Sequence, residues 1–341
     1  MAGIRAYGRT VGTLPTGKRN LITDVAGVRV GHSTINRKAT HTGVTVILPV
    51  EGKVYKHRPV AASYVLNGFG KTVGTVQLDE LECLETPIAL TNTLCAGRVA
   101  DALVTYTLEH NKSATSVNPV VGETNDGRIN QIRTRAVTED HVRAAMSAAG
   151  EDFAQGCVGA GTGTVCFGLK GGIGSASRVV ELCGSSYTLG VLVQSNFGLM
   201  EDLLVCGEPV GTRIAAQLGA KGAADEDEQG SIMVVVATDA PLTSRQLRRV
   251  LKRASMGLAC TGSHMGNGSG DVFLGFSTGN ILPRREKKPL DLHVLPDGAL
   301  DPLFRASGEA TEEAILNSLV AAQATKGLEG SIYHGLAEFL A

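Results

Sequence analysis

The sequence predicts a mixed α/β (α+β) fold, on three observations. Short runs rich in β-branched residues alternate with segments whose apolar residues recur at helical spacing. Glycine is abundant, at 43 of 341 residues, so tight turns and close backbone approaches are expected along the whole chain. One run, Ser231-Ile-Met-Val-Val-Val-Ala-Thr238, is apolar without alternation. Such a run predicts a strand buried on both faces, not an edge.

The elements follow in order. Residues 27–32 and 44–48 read as strands, and 87–92 as a third. Thr93 is placed to cap a helix reaching about residue 109, with Ala96, Val99, Ala100, Leu103 and Tyr106 on one face. A second helix is expected over 138–149. The glycine-dense stretches 159–164 and 168–174 precede strands at 175–182 and 186–196. Residues 219–230 form the one linker-like segment, with four consecutive acids at 225–228. Strand 231–238 follows. Thr243 and Gln246 have capping-box spacing and open a helix ending near Gly257. A loop over 262–270 leads to a strand at 272–277. Thr311, with Glu312 and Glu313, predicts the start of a last helix through Val320. The strand after the linker needs partners from before it, so one domain over 1–341 is expected.

Composition excludes several function classes. With 32 basic and 33 acidic side chains and a net charge of −1, no nucleic-acid partner is indicated. Trp is absent and aromatics make up 4%, which leaves no platform for base stacking. Seven cysteines, an odd number without a C-x-x-C pair, argue against a disulfide framework and a zinc site. The opening MAGIRAYGRTVG has no apolar h-region, and no run approaches the ~18 apolar residues of a membrane span. A cytoplasmic protein in a reducing compartment is expected, with no membrane partner.

Four chemistries compete. A dinucleotide fingerprint needs a helix after its glycines, but the run at 159–163 is followed by the apolar Val165-Cys-Phe, and no G-x-x-x-x-G-K-[ST] is present for this run or the one at 168–174. They read as turns. The eight histidines are dispersed, so no metal is expected. No G-x-S-x-G elbow supports a Ser–His–Asp hydrolase, and His264 alone is a weak base candidate. The fourth chemistry is self-cleavage between Gly230 and Ser231. Glycine tolerates the strained backbone that an N→O acyl shift needs. The cut frees a serine α-amine with a reference pKa of about 7.7–8, able to act as the base for its own hydroxyl. A Gly-Ser pair alone says little: Gly330-Ser331-Ile332 repeats the tripeptide, with no exposed loop or long apolar strand expected beside it.

Context separates the two pairs. Gly230-Ser-Ile-Met-Val-Val-Val-Ala-Thr-Asp-Ala-Pro-Leu242 resembles the processing site of the DmpA-like aminopeptidases, which include L-aminopeptidase/D-esterase-amidases and β-peptidyl aminopeptidases. The resemblance covers nearly the whole chain, in order. It runs through Asn20-Leu-Ile-Thr-Asp-Val-Ala-Gly-Val-Arg-Val-Gly-His32, Thr42-Gly-Val-Thr45, Glu85-Thr-Pro-Ile-Ala-Leu-Thr-Asn-Thr93, Lys170-Gly-Gly-Ile-Gly174, Val191-Leu-Val-Gln-Ser-Asn-Phe-Gly198 and Asn267-Gly-Ser-Gly-Asp271.

The resemblance implies a four-layer αββα sandwich, like the N-terminal-nucleophile hydrolases and shared with ornithine-acetyltransferase-like proteins. It implies self-cleavage into residues 1–230 and 231–341, two chains that stay together. Ser231 is then the nucleophile, Asn196 the oxyanion donor, and Ser269 with Asp271 the pair positioning the nucleophile and its amine. Asp271 is a methylene shorter than the Glu of some members. Glu123 would hold the substrate's ammonium, and Asn125 stands where some members carry a Tyr. The implied substrate is a small peptide, or an amino-acid amide or ester, with a free amine. No cofactor is implied, and a homo-oligomer of processed pairs is. Two other readings compete: an acyltransferase resembling ornithine acetyltransferases, against which Ser231 argues because those use Thr, and a non-catalytic relative acting as a binding protein.

Overall fold

The computed structural model describes residues 3–219 and 229–340, the side chain of Gln229 excepted. The acidic run 225–228 and most of the linker lie outside the described residues.

Two sheets stack face to face, each covered by helices. The first contains β1 (Arg29–Arg37), β2 (Thr40–Leu48), β4 (Ile88–Asn92) and β5 (Val120–Thr124), in that order across the sheet. Helices α2 (Ala96–His110) and α3 (Glu139–Ser147) cover its outer face, sealed by Val44, Val46, Ala89, Val99, Leu103 and Val142. The second sheet has the order β3-β9-β8-β7-β6. These strands are β3 (His57–Gly68), β6 (Gly172–Leu182), β7 (Ser185–Asn196), β8 (Gln229–Thr238) and β9 (Gly268–Pro283). Its outer face is covered by α5 (Ser244–Cys260) and α6 (Asp301–Val320). Two shorter helices, α1 (Thr75–Leu81) and α4 (Val210–Leu218), lie between strands in sequence. The result is the four-layer αββα arrangement.

β8 shows why its sequence lacks alternation. Ile232, Val234 and Val236 pack toward α5 and α6, while Met233, Val235 and Ala237 pack against the other sheet. All six are at most 1% exposed. A strand covered on both sides reads as a near-continuous apolar run. β8 is central, antiparallel to β7 and parallel to β9, and β9 is antiparallel to β3. The two sheets approach closely at Gly122 of β5, where an added Cβ would lie 2.6 Å from Met233 Cε. A side chain there would require the Met233 and Leu90 side chains to move aside.

The structure changes several expectations. α6 begins at Asp301, with Pro302 in its first turn, ten residues before the predicted start at Thr311. Thr311 is instead mid-helix and buried, its hydroxyl donating back to the Ser307 carbonyl. Glu313 is fully buried against Arg178 and Arg5, at 2.7 and 2.6 Å. Asn92, not Thr93, caps the turn before α2, accepting from the Leu94 and Cys95 amides. The capping box at Thr243 and Gln246 forms as expected, but α5 continues to Cys260. β3 was not anticipated, because Arg58, Pro59, Asn67 and Gly68 blur its pattern, and β9 extends six residues past Ser277. Phe167 and Gly168, both left-handed, turn the short hairpin joining Val165–Cys166 to Leu169–Lys170. The turn reading of 168–174 holds only at Gly168, since Leu169–Lys170 and the residues from Gly172 onward are strand. Among the described residues no helix is long and apolar enough to cross a membrane.

Candidate active site

The register of the second sheet places the candidate residues side by side. Ser231, near the start of β8, pairs with Asn196, the last residue of β7. On its other side it pairs with Gly270 of β9, so Ser269 and Asp271 flank it. Ser231, Asn196, Ser269 and Asp271 are all buried.

Gly230 precedes the serine at φ +154°. An added Cβ would lie 2.3 Å from the Asn196 carbonyl oxygen, so only glycine fits. The Ser231 hydroxyl donates to the Gly230 carbonyl oxygen at 2.5 Å, folded back onto the peptide bond expected to break. Gly270 keeps room beside it, since a Cβ there would lie 3.0 Å from Ser231 Oγ.

Each neighbour has a fixed role in the hydrogen-bond pattern. Asn196 Oδ1 accepts from the Val165 amide at 3.0 Å. This assigns the amide orientation and leaves the NH₂ end without a protein partner among the described residues. Ser269 Oγ donates to Asp271 Oδ1 at 2.7 Å. A hydroxyl that has given its proton to a carboxylate offers only lone pairs to a second partner.

A cavity of about 730 Å³ opens over this strand end, lined by Gly230, Ser231, Asn196, Glu123 and Asn125 among others. Glu123, on β5, is 3% exposed. Its carboxylate accepts from the Lys71 amide at 2.8 Å and from the Thr93 hydroxyl. A carboxylate has about four lone-pair directions, so capacity remains for a cation. Asn125 is exposed at the rim, and its Oδ1 accepts from the Gly127 amide at 2.9 Å, a local turn bond. Asp126 next to it is buried, and burial pushes its carboxyl up to about 6 against the pull of Thr42 and Asn130.

The structure thus brings Ser231, Asn196 and Glu123 to one cavity, with Ser269 and Asp271 directly behind the serine. His264 is not part of it: the side chain is exposed, with Nδ1 3.7 Å from Asp202 Oδ2. Sequence reasoning missed Thr93, Val165 and Lys71. The latter two act through backbone amides, which leave no side-chain signal. Thr93 was assigned to a cap. The comparison pair at Gly330-Ser331 also differs from expectation, since residues 328–332 are exposed and Ser331 lines the cavity rim. It still lacks a buried strand behind it. Among the described residues no three His, Cys, Asp or Glu side chains cluster as a metal site.

Comparison with known proteins reaches the whole chain. The model of peptidase family S58 matches residues 20–333. The β-peptidyl aminopeptidase BapA of Sphingosinicella microcystinivorans is 41% identical over 335 residues, covering 92% of this chain and 84% of that one. The crystal structure of the PH0078 protein from Pyrococcus horikoshii OT3 superposes with a TM-score of 0.93 at 46% identity, covering 99% and 98% of the two chains. The L-aminopeptidase D-Ala-esterase/amidase from Ochrobactrum anthropi, described as a prototype serine aminopeptidase and a variant of the Ntn hydrolase fold, gives 0.90 at 34% identity, over 98% and 95%.

Proposed function

The chain belongs to peptidase family S58 and is an aminopeptidase, and from that premise we propose that it is made as a precursor that cuts its own Gly230–Ser231 bond. One observation carries the reading: the Ser231 hydroxyl lies against the Gly230 carbonyl, between Asn196 and Gly270, at a cavity that also contains Glu123.

In the precursor, Ser231 Oγ attacks the Gly230 carbonyl carbon. The C–N bond breaks as an ester forms, and the nitrogen takes the proton. Water then hydrolyses the ester. It leaves a Gly230 carboxylate on one chain and Ser231 with a free α-amine on the other. The proposed catalytic unit is the pair 1–230 and 231–341.

In the mature enzyme the substrate's ammonium binds the Glu123 carboxylate, held in place by Thr93 and the Lys71 amide. The Ser231 α-amine takes the hydroxyl proton as Oγ attacks the substrate carbonyl. Ser269, whose hydroxyl donates a hydrogen bond to Asp271, accepts an N–H of that amine and directs its lone pair. The Asn196 NH₂ stabilises the oxyanion. The amine then protonates the leaving group, and water releases the acyl group. The BapA relative extends the proposal to β-amino acyl substrates. A cytoplasmic homo-oligomer of processed pairs belongs to the same proposal.

The test is a denaturing intact-mass spectrum of wild type beside Ser231→Ala. Wild type is expected as two chains of 230 and 111 residues (341 − 230), and the variant as one chain. Release of p-nitroaniline from β-alanyl and L-alanyl p-nitroanilides should accompany only the cut form. A single uncut wild-type chain that turns over these substrates would refute the precursor reading.

A further inference from the structure

The hydrogen bonds that orient Asn196 continue into the interior. The Val165 amide, which donates to Asn196 Oδ1 at 3.0 Å, shares one peptide unit with the Thr164 carbonyl. That carbonyl accepts from Lys170 Nζ at 2.9 Å. Lys170 faces Val165 across the short hairpin and is fully buried. Its Nζ also donates to the carbonyls of Gly161 at 3.0 Å and Gly171 at 2.8 Å.

Three carbonyl acceptors need three N–H donors, and only the ammonium form has three. A neutral amine would turn its lone pair toward a carbonyl oxygen. The geometry therefore requires a positive charge at this position. Burial disfavours that charge and lowers the lysine's pKa, an effect partly offset first by the neighbouring Cys157 and then by the buried carboxylate of Asp126.

We propose that Lys170 is a positioning residue for the oxyanion site, acting through the Thr164–Val165 peptide on the side-chain amide of Asn196. The cation draws electron density from the Thr164 carbonyl and makes the Val165 N–H a stronger donor. That N–H draws on Asn196 Oδ1 in turn, which strengthens the Asn196 NH₂ as a donor. Hydrogen bonds in series polarise one another, and a low-dielectric interior preserves the effect. The same bonds prevent the Asn196 amide from flipping. The inference rests on Asn196 being the oxyanion donor.

The test is a double-mutant cycle on the processed enzyme, with kcat and KM read on whichever alanyl p-nitroanilide is turned over. For variants that process slowly, the first-order self-cleavage rate replaces kcat. Lys170→Gln and Lys170→Met should lower kcat about tenfold, a fraction of the 10²–10³ lost with a whole oxyanion donor, and leave KM within about twofold. Lys170→Arg, which keeps the charge, should recover part of the loss. In an Asn196→Ala background the Lys170→Gln cost should shrink to less than about twofold. An equal cost in both backgrounds, or an effect on KM alone, would overturn the inference and leave Lys170 as a structural residue. An Asn196→Ala enzyme as active as wild type would instead remove the premise, and with it the assignment of Asn196. Should circular dichroism show the lysine variants unfolded, Val165→Pro deletes the same N–H without touching Lys170. An unchanged kcat in a folded Val165→Pro enzyme would refute the relay.

Discussion

At Gly230 the backbone allows no side chain. A methyl group there would meet the Asn196 carbonyl oxygen at 2.3 Å while holding φ at +154°. Gly230→Ala is therefore expected to slow precursor cleavage by at least about tenfold, since the alanine must move the peptide that Ser231 addresses. Intact mass over a time course reads this directly. Glu123→Gln keeps the shape of the side chain but removes its charge. KM for free-amine substrates should rise about 10- to 100-fold, the weight of a charge-assisted hydrogen bond. The precursor presents no free ammonium, so the two-chain mass pattern should persist in that variant. The candidate site residues were legible in the sequence as side chains, and the structure brings Ser231, Asn196 and Glu123 to one cavity with Ser269 and Asp271 on the neighbouring strand. The resemblance of ordered motifs was needed to select them. The supporting bonds from Val165 and Lys71 were not readable, because a backbone amide looks alike in every residue.

At the scale of elements, β1 contains a group whose protonation bears on stability. His32 is half-buried, with Nε2 3.0 Å from the Ala154 carbonyl and Nδ1 2.9 Å from the Thr45 hydroxyl. A carbonyl only accepts, so Nε2 carries the proton and Nδ1 accepts from Thr45. Burial lowers the pKa of His32 to about 4. In the unfolded chain it returns to about 6.5, so between these values the unfolded state binds more protons. Stability is thus intact above about pH 6.5 and falls as pH drops toward 4, by on the order of 3 kcal/mol from this group. His32→Gln should flatten that slope, which denaturant melts at pH 7, 5.5 and 4 would show. Most elements were legible because burial writes periodicity into sequence, and β8 and the start of α5 are the clearest cases. The start of α6 was misplaced because Thr311 and its acids imitate a cap, while the true start at Asp301-Pro302 precedes them. β3 was lost because Pro59 and the Asn67-Gly68 end read as loop.

At the scale of the molecule, the proposed cut divides the second sheet unevenly. Its central strands, β8 and β9, come from 231–341, and their neighbours β7 and β3 come from 1–230. Arg5 and Arg178 of the first piece hold Glu313 of the second in a buried ion pair. The pieces should therefore co-elute in native gel filtration and separate only in denaturant. The layers followed from the resemblance; the strand order, which composition and periodicity do not encode, needed the structure. That order also changes the kinetics of assembly. A precursor folds in a first-order process, with the linker holding both halves at high local concentration. Once cut, refolding must insert two strands from one chain between strands of another, so it becomes second order and slows on dilution. Processing would then work as a ratchet, in which the active protein forms once from its precursor and is afterwards sustained by the rate at which it unfolds.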